Sequence, residues 1–262
     1  MKRRLGQHLL VDPKTKNTIL DSVQCQGDEV VFEIGAGTGE LTENLCKLAK
    51  KVISTEIDPQ LYRLANQRLS HINNLQLMNI DGFKFDGHFD LLVSNLPYSE
   101  SSHFIEWLAS KTFRRAVVTV QREFAQKLIA EAGAKNYRAI SALAQAVFQL
   151  KAVTNFGRSA FRPRPQVNST LMIIERRLRT HISREIQTAL KKLFGFRGRM
   201  LSSALRALSK QEGEHGPAAC LLEELSRDLL SKRIEHLTPS EALIVASALG
   251  KNNERGHSVL GL

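Results

Sequence analysis

The stretch Val31-Phe32-Glu33-Ile34-Gly35-Ala36-Gly37-Thr38-Gly39-Glu40-Leu41-Thr42 decides the fold. A β-rich run meets three glycines at alternate positions, and a helix-like pattern follows. Glycine permits positive φ and lets a ligand lie close to the backbone. The spacing is G-x-G-x-G, not the dinucleotide G-x-G-x-x-G. No Gly-Lys-Ser/Thr follows, so a phosphate-binding P-loop is excluded. In Glu40–Lys50, Leu41, Leu45 and Leu48 fall at i, i+4 and i+7, one face of an amphipathic helix. Taken alone, the same glycines also suit any tight strand-to-helix joint.

Outward from this turn, β-rich runs recur at Glu29–Ile34, Lys51–Glu56, Asn74–Asn79, Phe89–Asn95, Arg114–Val120, Ala146–Asn155 and Val167–Glu175. Helix-like stretches at Gln60–Leu69 and Ser102–Ala109 separate the early ones. Such alternation predicts an α/β fold with right-handed crossovers and a mostly parallel sheet. No clear helix parts the last two runs, which predicts an antiparallel hairpin at one edge. From about residue 180 the β signal ends. Ser183 is positioned to cap a helix carrying Ile186, Leu190 and Leu193, and further helices are expected at Met200–Leu208 and Pro217–Ser231. Thr238-Pro239-Ser240-Glu241 has the form of a capping box with Pro at N1, opening a last helix through Leu249. The boundary is expected near Glu175–His181, giving a sheet domain over 1–178 and a small all-α domain over 179–262 that ends in a loose polar tail from Gly250.

At 262 residues the chain has room for about two domains of roughly 150 residues each. Its 42% hydrophobic and 24% charged content is ordinary for a globular protein and argues against disorder. No apolar run approaches the roughly 20 residues of a membrane span. The basic Met1–Arg4 leads into Leu5-Gly6-Gln7-His8, not into an apolar signal core. Cys25, Cys46 and Cys220 are scattered, which argues against a disulfide framework or a zinc site and fits a reducing cytoplasm. The net charge of +11 points to an acidic partner such as nucleic acid. It is uneven: residues 1–150 carry 18 basic and 16 acidic side chains, residues 151–262 carry 19 and 10. In 176–210 ten basic residues, among them Lys191, Lys192, Arg197 and Arg199, face Glu185 alone. That imbalance suits a phosphate-binding surface better than a merely solvated helix face, which usually interleaves both signs.

Three acidic residues follow strands. Glu56, 21 residues after Gly35, suits a carboxylate that accepts hydrogen bonds from a ribose diol. Asp58 competes for the role, and Glu56, which abuts the strand, is preferred. Asp81 after the next strand suits an adenine amino group. Together they imply an adenosine-containing ligand. The fourth strand ends Asn95-Leu96-Pro97-Tyr98. Asn95 has an acceptor oxygen, Pro97 removes a donor and leaves the Leu96 carbonyl as a second acceptor, and Tyr98 offers a flat ring. Two acceptors and a ring suit an exocyclic amine on a planar base.

With these segments in view, the chain resembles the ribosomal RNA adenine N6-dimethyltransferases that act on small-subunit RNA. The resemblance rests on six ordered segments: Leu5–Leu10, Glu33–Thr42, Asn95–Tyr98, Val120–Ala125, Phe161–Ser169 and Phe194–Leu201. It implies a Rossmann-like sheet that uses S-adenosylmethionine, and a helical domain for RNA. It implies cofactor contacts from His8, Leu10, Gly35, Gly37, Glu56, Asp81 and Asn95. It implies catalysis by Asn95, Leu96, Pro97 and Tyr98, with Phe161 packing on the target adenine opposite Tyr98. No metal is required. The expected partner is small-subunit rRNA in a ribosomal assembly particle, met by a monomer through Lys191, Lys192, Arg197 and Arg199. His8, Leu9 and Asn168 depart from the family's usual Asn, Phe and Asp. The competing readings are a resistance-type methyltransferase of a large-subunit adenine and a non-catalytic assembly factor on the same fold.

Overall fold

The seven β-rich runs pair into one seven-stranded sheet. Its strands are β2 (Val30–Ile34), β3 (Lys51–Thr55), β4 (Leu75–Met78), β5 (Leu91–Asn95), β6 (Arg115–Gln121), β7 (Phe148–Phe156) and β9 (Ser169–Arg176), in the spatial order β4-β3-β2-β5-β6-β9-β7. The first five are parallel, and β9 runs antiparallel to both β6 and β7. The expected antiparallel pair at the edge is therefore present, with β9 inserted between β6 and β7. Two further strands of two residues each, β1 (Leu9–Leu10) and β8 (Phe161–Arg162), form a separate antiparallel ladder. The computed structural model describes residues 8–177, 182–213 and 216–250. Leu5–Gln7 of the N-terminal family segment, residues 178–181 at the expected boundary and the tail 251–262 lie outside those residues.

The chain divides into two compact units, Met1–Gln126 with Val147–His181, and Lys127–Ala146 with Ile182–Leu262. The sequence reading, one cut after residue 178, leaves 127–146 with the sheet. That segment instead joins the helical unit through long-range bonds. Tyr137 Oη donates to the Leu237 carbonyl at 3.0 Å, and the Gly133 N–H donates to the Glu235 carbonyl at 2.6 Å.

In the sheet unit, α1 (Pro13–Val23), α2 (Glu40–Leu48), α3 (Pro59–Leu69) and α4 (Ser101–Leu108) connect the strands, and α5 (Arg122–Leu128) follows β6. Continuous apolar strands make one core. Val31, Val52, Leu91, Val93, Val117 and Leu171 pack with Ile19 and Val23 of α1. Phe32, Phe85, Phe89 and Trp107 form an aromatic cluster; the Phe32 and Phe85 rings stack at 4.5 Å. Pro begins both α1 and α3, where a missing N–H costs nothing, and Asp12 and Asp58 cap them. Each cap is worth about 1 kcal/mol. The strand order reverses between β2 and β5, and in open α/β sheets ligands bind at such a point, outside the carboxyl ends of the strands.

The helical unit holds α6 (Ala139–Val147) for most of its length, α7 (Arg184–Phe194), α8 (Leu201–Glu212), α9 (Pro217–Glu224), α10 (Arg227–Ser231) and α11 (Pro239–Gly250). Ser183 caps α7 as expected, accepting from the Ile186 N–H. The capping box is also formed: the Thr238 N–H donates to Glu241 Oε2 at 2.9 Å, and the Glu241 N–H donates to Thr238 Oγ1 at 3.3 Å. The single helix expected over Pro217–Ser231 is two, because Leu225 is extended and Ser226 caps α10 by accepting from the Leu229 N–H. Among the described residues no helix is long and apolar enough to cross a membrane.

Candidate active site

The glycine turn adopts the backbone its spacing demands: Gly35, Gly37 and Gly39 have φ of +90°, +58° and +84°. Nothing lies within 4 Å of where a Gly35 Cβ would stand, so there is open space over the turn. Glu56, 2% exposed, aims its carboxylate into this turn. Oε2 accepts the Gly37 N–H at 2.8 Å and Oε1 accepts the Asp58 N–H at 2.9 Å. Asp58 is instead a helix cap, with Oδ1 accepting the Gln60 and Leu61 N–H groups. Of the two competing carboxylates, only Glu56 faces the glycines.

Asp81 Oδ1 accepts the Phe83 N–H at 3.0 Å, which opens a short 3-10 turn over Gly82–Lys84. Gly82 seats that turn on the ends of β2 and β3. A Cβ there would stand 2.7 Å from Thr55 Oγ1 and 2.9 Å from Ile34 Cγ2. The Asp81 turn is thus pressed against the two strands that carry the glycine turn and Glu56.

Beneath the turn Glu33 is buried and accepts from the Thr42 and Ser54 hydroxyls, both at 2.6 Å to Oε2. Burial, reinforced by the charge of Glu56, pushes its carboxyl up to about 7; the two hydroxyl donors offset part of this. Glu33 ties β2 to β3 and to α2 directly under the candidate site. The sequence reading did not single it out, although a carboxylate inside an apolar strand is a visible signal.

Asn95 ends β5. Its Nδ2 donates to the His8 carbonyl at 2.6 Å. Among the described residues no hydrogen bond reaches its Oδ1 or the Leu96 carbonyl, so both acceptors expected of the tetrapeptide are unused. Pro97 supplies no N–H, and its carbonyl accepts from Glu100. Tyr98 is half-buried. Its hydroxyl shares a 2.7 Å hydrogen bond with the buried Ser169, and burial raises its pKa. The His8 ring lies 5.3 Å from that of Tyr98, and its Nδ1 donates to the Pro163 carbonyl at 2.6 Å. The ring donor of His8 thus serves the protein, and its carbonyl orients Asn95.

Two expected contacts are arranged differently. Phe161 is 1% exposed and belongs to the core around Leu171, Val117 and Ile19. At that exposure it offers no free face to a base, and its register partner on β1 is Leu10. The side chain of Leu10 likewise packs against that core, and Leu9 is the residue that touches the glycine turn. A Gly37 Cβ would stand 3.0 Å from Leu9 Cδ2. The sequence reading placed Leu9 and Ser169 inside the family segments but gave neither a contact, since a two-residue strand and a lone serine carry no pattern.

In the helical unit Lys191, Lys192 and Arg199 are exposed. Arg197 turns inward. Its Nη2 donates to the Ala134 carbonyl at 2.9 Å and pairs with Glu235 at 3.2 Å, and its Nε is buried without a partner among the described residues. The expected role of Arg197 in binding RNA is corrected accordingly: it braces the fold.

The sequence model of the family described as "Ribosomal RNA adenine dimethylase" matches residues 1–219. The chain is 33% identical to the probable ribosomal RNA small subunit methyltransferase A of Pyrococcus abyssi, over 91% of this chain and 88% of that one. It is 32% identical to the ribosomal RNA small subunit methyltransferase A of Thermotoga petrophila, over 92% and 88%. The solved dimethyladenosine transferase of Plasmodium falciparum superposes with a TM-score of 0.80 at 28% identity, covering 91% of this chain and 96% of that one. The 23S rRNA methyltransferase ErmE shares the fold, with a TM-score of 0.63 at 23% identity over 93% and 100%.

Proposed function

Since the chain belongs to the ribosomal RNA adenine dimethylase family, we propose that it dimethylates the N6 amines of two adjacent adenines. These lie in a 3′-terminal stem-loop of small-subunit rRNA within an assembling ribosomal particle, and S-adenosylmethionine is the methyl donor. The observation that carries this reading is the pair of unused acceptors at the end of β5, Asn95 Oδ1 and the Leu96 carbonyl, with the Asn95 amide oriented by the His8 carbonyl.

The residues fit such a cofactor: an open glycine turn, a carboxylate at Glu56 beside it for a ribose, and Asp81 for an adenine amine. When bound, the cofactor supplies an electrophilic methyl group on a sulfonium, which needs no metal or strong base. The chain has to position the amine. Asn95 Oδ1 and the Leu96 carbonyl accept the two N6 hydrogens of the target adenine and draw its nitrogen toward a tetrahedral shape. Its lone pair then points at the methyl group. This is positioning plus electrostatics. Tyr98, fixed through Ser169, stacks on one face of the flipped base. After transfer one amine proton leaves to solvent, and the remaining hydrogen serves the second round. Lys191, Lys192 and Arg199 hold RNA phosphates, and the protein acts as a cytoplasmic monomer.

The test is methyl transfer from labelled S-adenosylmethionine to small-subunit particles lacking the modification, and to protein-free large-subunit RNA, followed by nucleoside separation. Dimethyladenosine from the small-subunit particles alone is expected. Label in large-subunit RNA alone points to a resistance-type enzyme, and no label in either points to a binding role.

A further inference from the structure

Around the catalytic tetrapeptide the sheet unit carries arginines that no carboxylate answers. Arg122, Arg158, Arg162 and Arg164 are all exposed. Among the described residues none of their guanidinium groups has an ion pair or hydrogen bond. In the same unit Arg68, Arg114 and Arg115 each hold a glutamate. Three of the four are gathered on one short segment. Residues 157–168 contain three of them and no acidic residue. Arg122 joins them because its N–H donates to the Asn168 carbonyl at 3.0 Å, and because it lines, with Arg158, Gln166, Asn168 and Glu123, an open recess of about 370 Å³. Glu123 is the one acid among the residues that line this recess.

The segment is fastened to the tetrapeptide at its middle and just past its C-terminal end. At its middle His8 links Asn95 to Pro163 through two 2.6 Å hydrogen bonds. Just past its end Ser169 holds the Tyr98 hydroxyl. Arg162 is paired in register with Leu9, and strand alternation turns it outward while Phe161 faces the core. A base drawn to Asn95 and Tyr98 leaves its own and neighbouring phosphates just outside. Guanidinium groups match phosphate oxygens bidentately.

We propose that Arg122, Arg158, Arg162 and Arg164 form a phosphate-gripping rim in the sheet unit, which seats the nucleotides flanking the target adenine. The proposal rests on the rRNA reading above and extends it: the basic C-terminal helices are not the sole RNA surface. The rim acts on positioning and takes no part in the transfer itself.

The full chain is compared with the pairs R122Q/R158Q and R162Q/R164Q, and with R63Q as an exposed control on α3. Melting curves establish that all are folded. Methyl transfer to small-subunit particles lacking the modification is measured across a salt series, together with cofactor affinity by calorimetry. For each pair KM for the particle is expected to rise by about tenfold, with kcat and cofactor affinity unchanged. The log–log salt dependence is expected to flatten by about 0.7–0.9 per arginine removed. R63Q is expected to match the parent. Unchanged KM and salt slope in both pairs overturns the proposal, as does an equal effect of R63Q. A parent that methylates no small-subunit particle defeats the rRNA reading instead. The rim is then judged by binding of a labelled single-stranded RNA oligonucleotide, which the pairs must weaken for it to stand.

Discussion

Asn95 is held by its donor, which leaves its acceptor free to work. Nδ2 donates to the His8 carbonyl, so the amide is oriented before any substrate arrives. Asn95→Ala is expected to lower kcat by about 10²–10³-fold, the scale for one preorganised polar group, while the cofactor still binds. Turnover at the parent rate would overturn the role. Glu33 makes a different residue-scale prediction. Its folded pKa of about 7 lies above the ordinary 4.5, so the folded protein holds this proton more tightly than the unfolded chain does. Stability therefore falls as pH rises from about 4.5 to about 7, then levels, at a cost of about 3 kcal/mol. Glu33→Gln keeps an acceptor for Thr42 and Ser54 and removes the charge. Its gain in Tm over the parent should be larger at pH 8 than at pH 5; an equal gain at both would show that Glu33 does not titrate here. The sequence ranks Glu56 over Asp58 from strand position alone. In the structure the Asp58 oxygen is engaged in capping α3.

The sheet unit brings the ends of β2, β3, β4 and β5 to one place, and a single glycine fits the Asp81 turn there. Gly82→Ala would drive a methyl group against Thr55 and Ile34 and lift that turn. A destabilisation of about 1–3 kcal/mol is expected, as for other overpacked sites. Cofactor affinity measured by calorimetry should fall with it. Gly198→Ala meets nothing within 4 Å and should change neither quantity. If Gly82→Ala binds cofactor like the parent, the Asp81 turn is not part of the site. The seven long strands were legible because each is a continuous apolar or β-rich run of four residues or more. The β1–β8 ladder was not, since two-residue strands have no period to read. Yet that ladder holds Phe161 in place and carries Leu9 onto Gly37. The resemblance named the right segments but could not say which face of Phe161 the chain itself occupies. The grouping of 127–146 with the C-terminal helices was equally hidden, because it depends on bonds such as Tyr137 to Leu237 across a hundred residues.

Over the whole molecule the net charge of +11 was the earliest sign of a polyanionic partner, but charge count alone does not identify the residues that meet it. Arg197 and Arg199 look equivalent in the sequence. In the structure Arg197 is tied to Ala134 and Glu235, whereas Arg199 is exposed and lies over the Phe196 ring at 5.5 Å. The two should therefore fail in different ways. Arg197→Gln removes a brace inside the helical unit and leaves the Ala134 carbonyl and Glu235 carboxylate without it. A stability loss of about 1–3 kcal/mol is expected, with little change in the salt dependence of RNA binding. The triple change K191Q/K192Q/R199Q removes three exposed charges. It should leave Tm near that of the parent and flatten the log–log salt slope of RNA binding by about 2–3, since each lost phosphate contact contributes roughly 0.7–0.9. Melting curves and a salt titration of RNA affinity on the same preparations separate the cases. If Arg197→Gln flattens the slope at constant Tm, its contacts with Ala134 and Glu235 give way when RNA binds, and its assignment as a brace is wrong. If the triple variant keeps the parent slope, the phosphates are held elsewhere, and the arginine rim beside Asn95–Tyr98 becomes the main surface for the RNA.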